Sequence, residues 1–99
     1  MTALDDLQRL GLVVGRVVNV RGHPGARAPS FVLDVDLGWG EPHEATLPAG
    51  GYEPDELRGR QVVCLPGEGE LIVLGAHSHA RGVVLLRPDE EVEDGTPVA

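Results

Sequence analysis

The sequence predicts an all-β chain: a small five-stranded barrel, a short helix between its third and fourth strands, and an extension at each terminus. Two stretches predict it. From Phe31 the residues alternate strictly, with Phe31, Leu33, Val35 and Leu37 on one side and Val32, Asp34 and Asp36 on the other. That is the period of a half-buried strand. Further on, Tyr52-Glu53-Pro54-Asp55-Glu56-Leu57-Arg58-Gly59-Arg60 supplies one helical turn and delivers the chain into a fresh strand, Gln61-Val62-Val63-Cys64-Leu65.

Each element has its own signal. Thr2 with Asp5 three residues on makes a capping box for a helix carrying Leu4, Leu7 and Leu10, with Gly11 placed to end it. The first strand is expected over residues 12–21, with Gly15 as a bulge or bend. The second covers 30–37. Gly38-Trp39-Gly40-Glu41-Pro42 is a turn, and a weaker third strand covers 43–47. Pro54 suits a first helical turn, while Glu53 is a poorer cap than Ser or Thr. The fourth strand covers 61–65, Pro66-Gly67-Glu68-Gly69 is a tight connection, and the fifth covers 70–74. A sixth strand, 82–86, falls outside a minimal barrel. This divides the chain into an N-terminal helix (1–11), a barrel (12–75) and a C-terminal extension (76–99). The tail is acidic and turn-rich, with Val92 and Val98 spaced like anchors.

Leu71-Ile72-Val73-Leu74 and Val83-Val84-Leu85-Leu86 are continuous apolar runs, the pattern of strands covered on both faces. A barrel covers one face. Either the chain's own helix and tail cover the other, or a second subunit does, through Leu4, Leu7, Val84, Leu86, Val92 and Val98.

Composition narrows the function. Sixteen acids face eight arginines, lysine is absent, and the formal net charge is −8. A protein that binds by neutralising phosphates normally has a basic surplus or stripe. At 99 residues the chain buries only a modest core, which a partner subunit would reinforce. The lack of a basic, apolar leader or a long apolar run predicts a soluble cytoplasmic protein with no membrane contact. The single Cys64 is compatible with a reducing compartment.

Val14-Gly15-Arg16-Val17, the loop His23-Pro24-Gly25-Ala26-Arg27-Ala28-Pro29-Ser30-Phe31, the Tyr52 to Arg60 segment, Leu74-Gly75-Ala76 and Val83-Val84-Leu85-Leu86-Arg87-Pro88-Asp89 occur in an order that resembles the OB-fold tRNA-binding-domain family. The chain is most similar to the dimeric CsaA type, an export-associated chaperone. It is also like the appended tRNA-binding domain of methionyl-tRNA synthetases. The resemblance implies a homodimer that binds tRNA, or unfolded or preprotein clients. OB folds bind oligonucleotides across strands 2 and 3, between the 1–2 and 4–5 loops. The departures fall there. CsaA-like proteins carry a long 4–5 loop with Lys or Arg, whereas this one is short, lacks a cation and adds Glu68 and Glu70. Arg27 is kept but is followed by Ala28, and Val32 stands where relatives tend to carry Lys. Thr46 keeps the one hydroxyl of the synthetase-like stretch 46–52.

Arg16, Arg21, Arg27, Arg58 and Arg60, with Thr46, are therefore the candidate RNA-binding residues. The alternative is that the arginines sit in exposed ion pairs with neighbouring acids. His77-Ser78-His79 lacks a third ligand and reads as a turn between strands 5 and 6, so no metal is expected. Cys64 lies in an apolar strand without a cation or His beside it, which argues against a nucleophile. Asp34 and Asp36 read as a solvated strand face. No catalytic residue or cofactor is expected. The sequence thus predicts a non-catalytic tRNA- or RNA-binding protein with weakened affinity. The rivals are a polypeptide-binding chaperone dimer without RNA binding, and a structural or regulatory dimer.

Overall fold

Thr2 opens the first helix, α1 (Ala3–Leu10), through the expected capping box. Its hydroxyl accepts from the Asp5 N–H, and the Asp5 carboxylate accepts from the Thr2 N–H, both at 3.2 Å. Gly11 ends the helix with φ 73°, a conformation that disfavours any side chain. The computed structural model describes residues 2–22, 30–48 and 51–99.

Five antiparallel strands follow, with the backbone order expected of the barrel. They are β1 (Val13–Gly22), β2 (Ser30–Asp36), β3 (His43–Pro48), β4 (Gln61–Gly67) and β5 (Glu70–Val73), hydrogen-bonded in the order β3-β2-β1-β4-β5. β3 comes alongside β5 and nearly closes the ring. The helix α2 (Pro54–Leu57) links β3 to β4, and its Leu57 plugs the core. Its start is firmer than Glu53 suggested, because the Glu56 carboxylate accepts from the Glu53 N–H at 3.1 Å. Alternation fills the interior: Leu33, Val35 and Leu37 are buried, facing Val17, Val62 and Cys64, while Asp34 and Asp36 point away.

Several local expectations are corrected. The irregularity in β1 lies between Val17 and Asn19, not at Gly15. Gly15 serves close packing instead: a Cβ there would sit 2.6 Å from Val35 Cγ1 and 2.8 Å from Leu37 Cδ2. The β4–β5 connection is tighter than four residues. Gly67 pairs with Glu70 across a turn of Glu68 and Gly69, the latter at φ 74°. His77 and Ser78 form strand rather than turn, in β6 (Gly75–Ser78), which pairs with β7 (Gly82–Leu85) as a separate ribbon. The segment 82–86 is thus outside the barrel, as expected, but has a partner the sequence had not revealed.

The apolar runs are covered unequally. Leu71 is core, and Val83 and Leu85 pack against it, while Ile72 and Leu86 remain 47% and 43% exposed. The helix α1 buries none of its residues, so within this chain it is not their cover. The tail does pack back, as a strap along the first half of β1. Thr96 O accepts from Val14 N–H (2.9 Å), Val14 O from Gly95 N–H (2.6 Å), and Leu12 O from Val98 N–H (2.8 Å).

Gly15→Ala should cost about 1–3 kcal/mol, because Val35 and Leu37 must leave their rotamers to admit a methyl group. Chemical denaturation would show a lowered midpoint; an unchanged midpoint would mean that the β1–β2 layer is looser than described.

Candidate nucleic-acid interface

The outward faces of β1, β2 and β3 form one surface, because cross-strand partners share a side. Asn19 stands opposite Asp34 and Arg21 opposite Val32; Val32 in turn faces Thr46, and Asp34 faces Glu44. Thr46 is exposed, at a groove between β3 and β5 that Glu70 and Ile72 also line. Arg21 is the cation at the centre of this surface, and it is occupied, while Arg16, opposite Asp36 at its edge, turns toward the strap. Its Nη2 donates to Asp34 Oδ1 at 2.8 Å and to Glu44 Oε2 at 3.3 Å. Asp34 first and Glu44 second hold the guanidinium above its ordinary range. Asn19 donates to the same Asp34 (3.3 Å), and Asp36 accepts from Gly38 N–H (2.8 Å). The surface is acidic, with its charges tied to one another.

The other described candidates, Arg16, Arg58 and Arg60, lie toward the link between α2 and β4. Arg16 is five residues of extended strand from Arg21, about 16 Å away. Its Nη1 donates to Gly59 O at 2.8 Å, which brings it beside Arg58 and Arg60. Its Nη2 meets Glu91 Oε1 at 2.7 Å and its Nε meets Asp94 Oδ1 at 3.2 Å. The Glu91 hydrogen bond, set against a smaller desolvation effect, holds the Arg16 guanidinium above its usual range. Arg58 is paired with Asp55. Arg60 lies 4.0 Å from Glu56 and 5.9 Å above the centre of the Tyr52 ring. The structure therefore brings together Arg16, Arg58 and Arg60 and leaves Arg21 apart. Arg27 lies outside the described residues.

Among the described residues, stacking platforms are missing from the β2–β3 face. Phe31 and Tyr52 pack against the core, and the Tyr52 hydroxyl accepts from Leu85 N–H at 3.0 Å. Trp39, 56% exposed, stands in the β2–β3 connection with its ring edge-on to His43. No group of three potential metal ligands occurs among the described residues. None of the described helices is long and apolar enough to cross a membrane.

Sequence reasoning missed Gln61, Glu91 and Asp94. Gln61 is a buried amide whose oxygen accepts from Val92 N–H at 3.0 Å and whose nitrogen donates to Val92 O and to Asp94 Oδ1. The available signal was a lone polar residue heading the apolar strand 61–65.

Comparison with known proteins follows the same lines. No family model matches the chain. The methionine–tRNA ligase of Pyrococcus abyssi (strain GE5 / Orsay) is 38% identical over 105 residues, covering 95% of this chain. The chain spans only 14% of the length of that relative. The crystal structure of chaperone CsaA from Bacillus anthracis str. Ames superimposes with a TM-score of 0.84 at 29% identity, covering 100% of this chain and 99% of that one. A CsaA chaperone protein from Picrophilus torridus gives 0.83 at 24% identity over the whole of both chains, a likeness of fold. Both sides of the resemblance read from the sequence are present.

Burial in the barrel pushes the Cys64 thiol up to about 11. It should therefore react with a disulfide reagent at pH 8 only as fast as the barrel opens. Because the folded value is raised, stability should be full below the unfolded thiol's range, near pH 9, and decline as pH rises through about 11. Prompt labelling of the native protein at pH 8 would contradict the burial.

Proposed function

Because the chain belongs with CsaA and the matching segment of methionyl-tRNA synthetases in the OB-fold tRNA-binding-domain family, we propose that it is a non-catalytic RNA-binding protein of the cytoplasm. Its RNA is tRNA, its unit of binding is residues 1–99, and its affinity is weak. The observation that carries the weakness is the pairing of Arg16, Arg21 and Arg58 with the chain's own carboxylates. RNA has to displace an acid from each of these sites, and each phosphate contact forgone removes about 0.7 from the salt slope on single strands. Arg27, Arg58 and Arg60 carry the contact, Arg16 and Arg21 contribute as their acids exchange, and Thr46 supplies a neutral hydrogen bond.

A titration with tRNA at two salt concentrations tests this. The expected Kd is about tens of micromolar or weaker, falling steeply in affinity with salt, and Arg27→Ala with Arg58→Ala should reduce binding further. Tight binding that survives both substitutions would misplace the site. The acidic β1–β2–β3 surface favours a second reading, a polypeptide-binding chaperone that needs no basic face. Absence of RNA binding at low salt, with suppression of client aggregation, would select it.

The same family membership leads us to propose a homodimer. Leu4, Leu7, Val84, Leu86, Val92 and Val98 form its interface. The support is that Leu4 and Leu86 are 53% and 43% exposed and that α1 buries nothing. Apolar area removed from water there stabilises by about 25 cal/mol per Å². Light scattering at micromolar concentration should give twice the chain mass, and Leu7→Asp should return it to one. A wild-type monomer would overturn the dimer.

A further inference from the structure

The C-terminal strap joins a polyanion to the arginine cluster. Five of the six residues 89–94 are acidic: Asp89, Glu90, Glu91, Glu93 and Asp94. Glu91 and Asp94 close on Arg16 at 2.7 and 3.2 Å. Beside them Arg60 and Arg87 share a cleft with Asp89, Glu90 and Glu91. We propose that this strap is an autoinhibitory contact, an intramolecular competitor that holds Arg16, Arg60 and Arg87 against the phosphates of RNA. The inference rests on the RNA-binding reading and adds its regulation.

Two features separate masking from mere folding. First, the strap is seated mainly by groups that carry no charge. The backbone bonds of Gly95, Thr96 and Val98 to the start of β1, and the Gln61 amide on Val92, hold it in register. The Glu91 carboxylate is therefore surplus to its attachment, whereas Asp94 also accepts from the Gln61 amide. Glu91 is 71% exposed while it engages an Arg16 that is 28% exposed, so the acid rides on the surface and the arginine is what it covers. Second, the tether is short. A segment held this way competes at an effective concentration in the millimolar range, well above micromolar RNA. Exposed ion pairs are individually weak, so the competitor is displaced by degrees rather than acting as a lock.

Binding of a tRNA and of an unstructured single-stranded RNA by the full chain, each at two salt concentrations, tests the proposal. Glu91→Gln with Asp94→Asn should bind several-fold more tightly than wild type, with the salt slope steeper by about 0.7 for each phosphate gained. Asp6→Asn with Glu41→Gln changes net charge equally at exposed sites whose carboxylates pair with none of Arg16, Arg60 and Arg87, and should give no such gain. Adding Arg16→Gln to the strap variant should remove the gain. Hydrogen exchange should show the Gly95 and Val98 amides still protected. Where Asp94→Asn loosens the strap, Glu91→Gln alone, which leaves Gln61 untouched, decides. An equal gain from the control pair, or no gain from the strap variant while wild type binds, overturns the autoinhibition alone. No binding by any variant at low salt overturns both it and the RNA reading.

Discussion

The fold depends on satisfying the backbone of β1. A buried strand must find a partner for nearly every N–H and C=O, and no single neighbour serves all of this one. Val13 to Arg16 pair with β4, and Arg16 to Gly22 pair with β2. Between these, Val17 exchanges hydrogen bonds with the α2–β4 link, donating to Arg60 O and accepting from Gly59 N–H. The strap takes the remaining edge around Val14. Gly15 lies inside this junction, where the core side chains of β2 approach too closely for a Cβ. The C-terminal segment is thus the partner of an edge that would otherwise be exposed, a hazard that small sheet proteins must cover.

That arrangement also directs the electrostatics. Arg16 reaches the strap because β1 and Gln61 draw it there, and the acidic tail then meets the cation at contact distance. On the other flank, Arg21, Asp34 and Glu44 fall on one side of three adjacent strands by register alone. Part of the chain's acidity is therefore held in short-range pairs around Arg16, Arg21, Arg58 and Arg60. Charges farther than about 10 Å are screened at ordinary salt, so a phosphate would sense these pairs more than the net charge.

The barrel was legible because it rests on period-two alternation. Phe31 to Leu37 face in and out as written, and the one-turn helix before Gln61 follows from Pro54 and its acidic first turn. The capping box of α1 was equally local. What could not be read depended on distance in three dimensions. His77-Ser78 carries no strand signal of its own and becomes β6 only because Val83 and its neighbours lie opposite. Gly15 has the same sequence signature as a bulge, and only the packing of Val35 and Leu37 shows its different purpose. Ion pairing, one of the two readings of the arginines, is seen at Arg16, Arg21, Arg58 and Arg60, yet the partners sit up to 78 residues away, as for Arg16 and Asp94. Sequence spacing does not hold such pairs.

The alternation that makes the barrel legible also separates its stability from its chemistry. On β2, Leu33 and Val35 face the core, where a change of even one methylene is felt. Val32, Asp34 and Asp36 face outward, where most substitutions cost little. Inward positions can therefore preserve the backbone path while outward ones exchange lysine for valine or shorten a loop to Glu68-Gly69. A shared fold consequently says much about Leu33 and little about Asp34. The binding character of this chain has to be read from the outward residues, among which Asp34 and Glu44 neutralise Arg21.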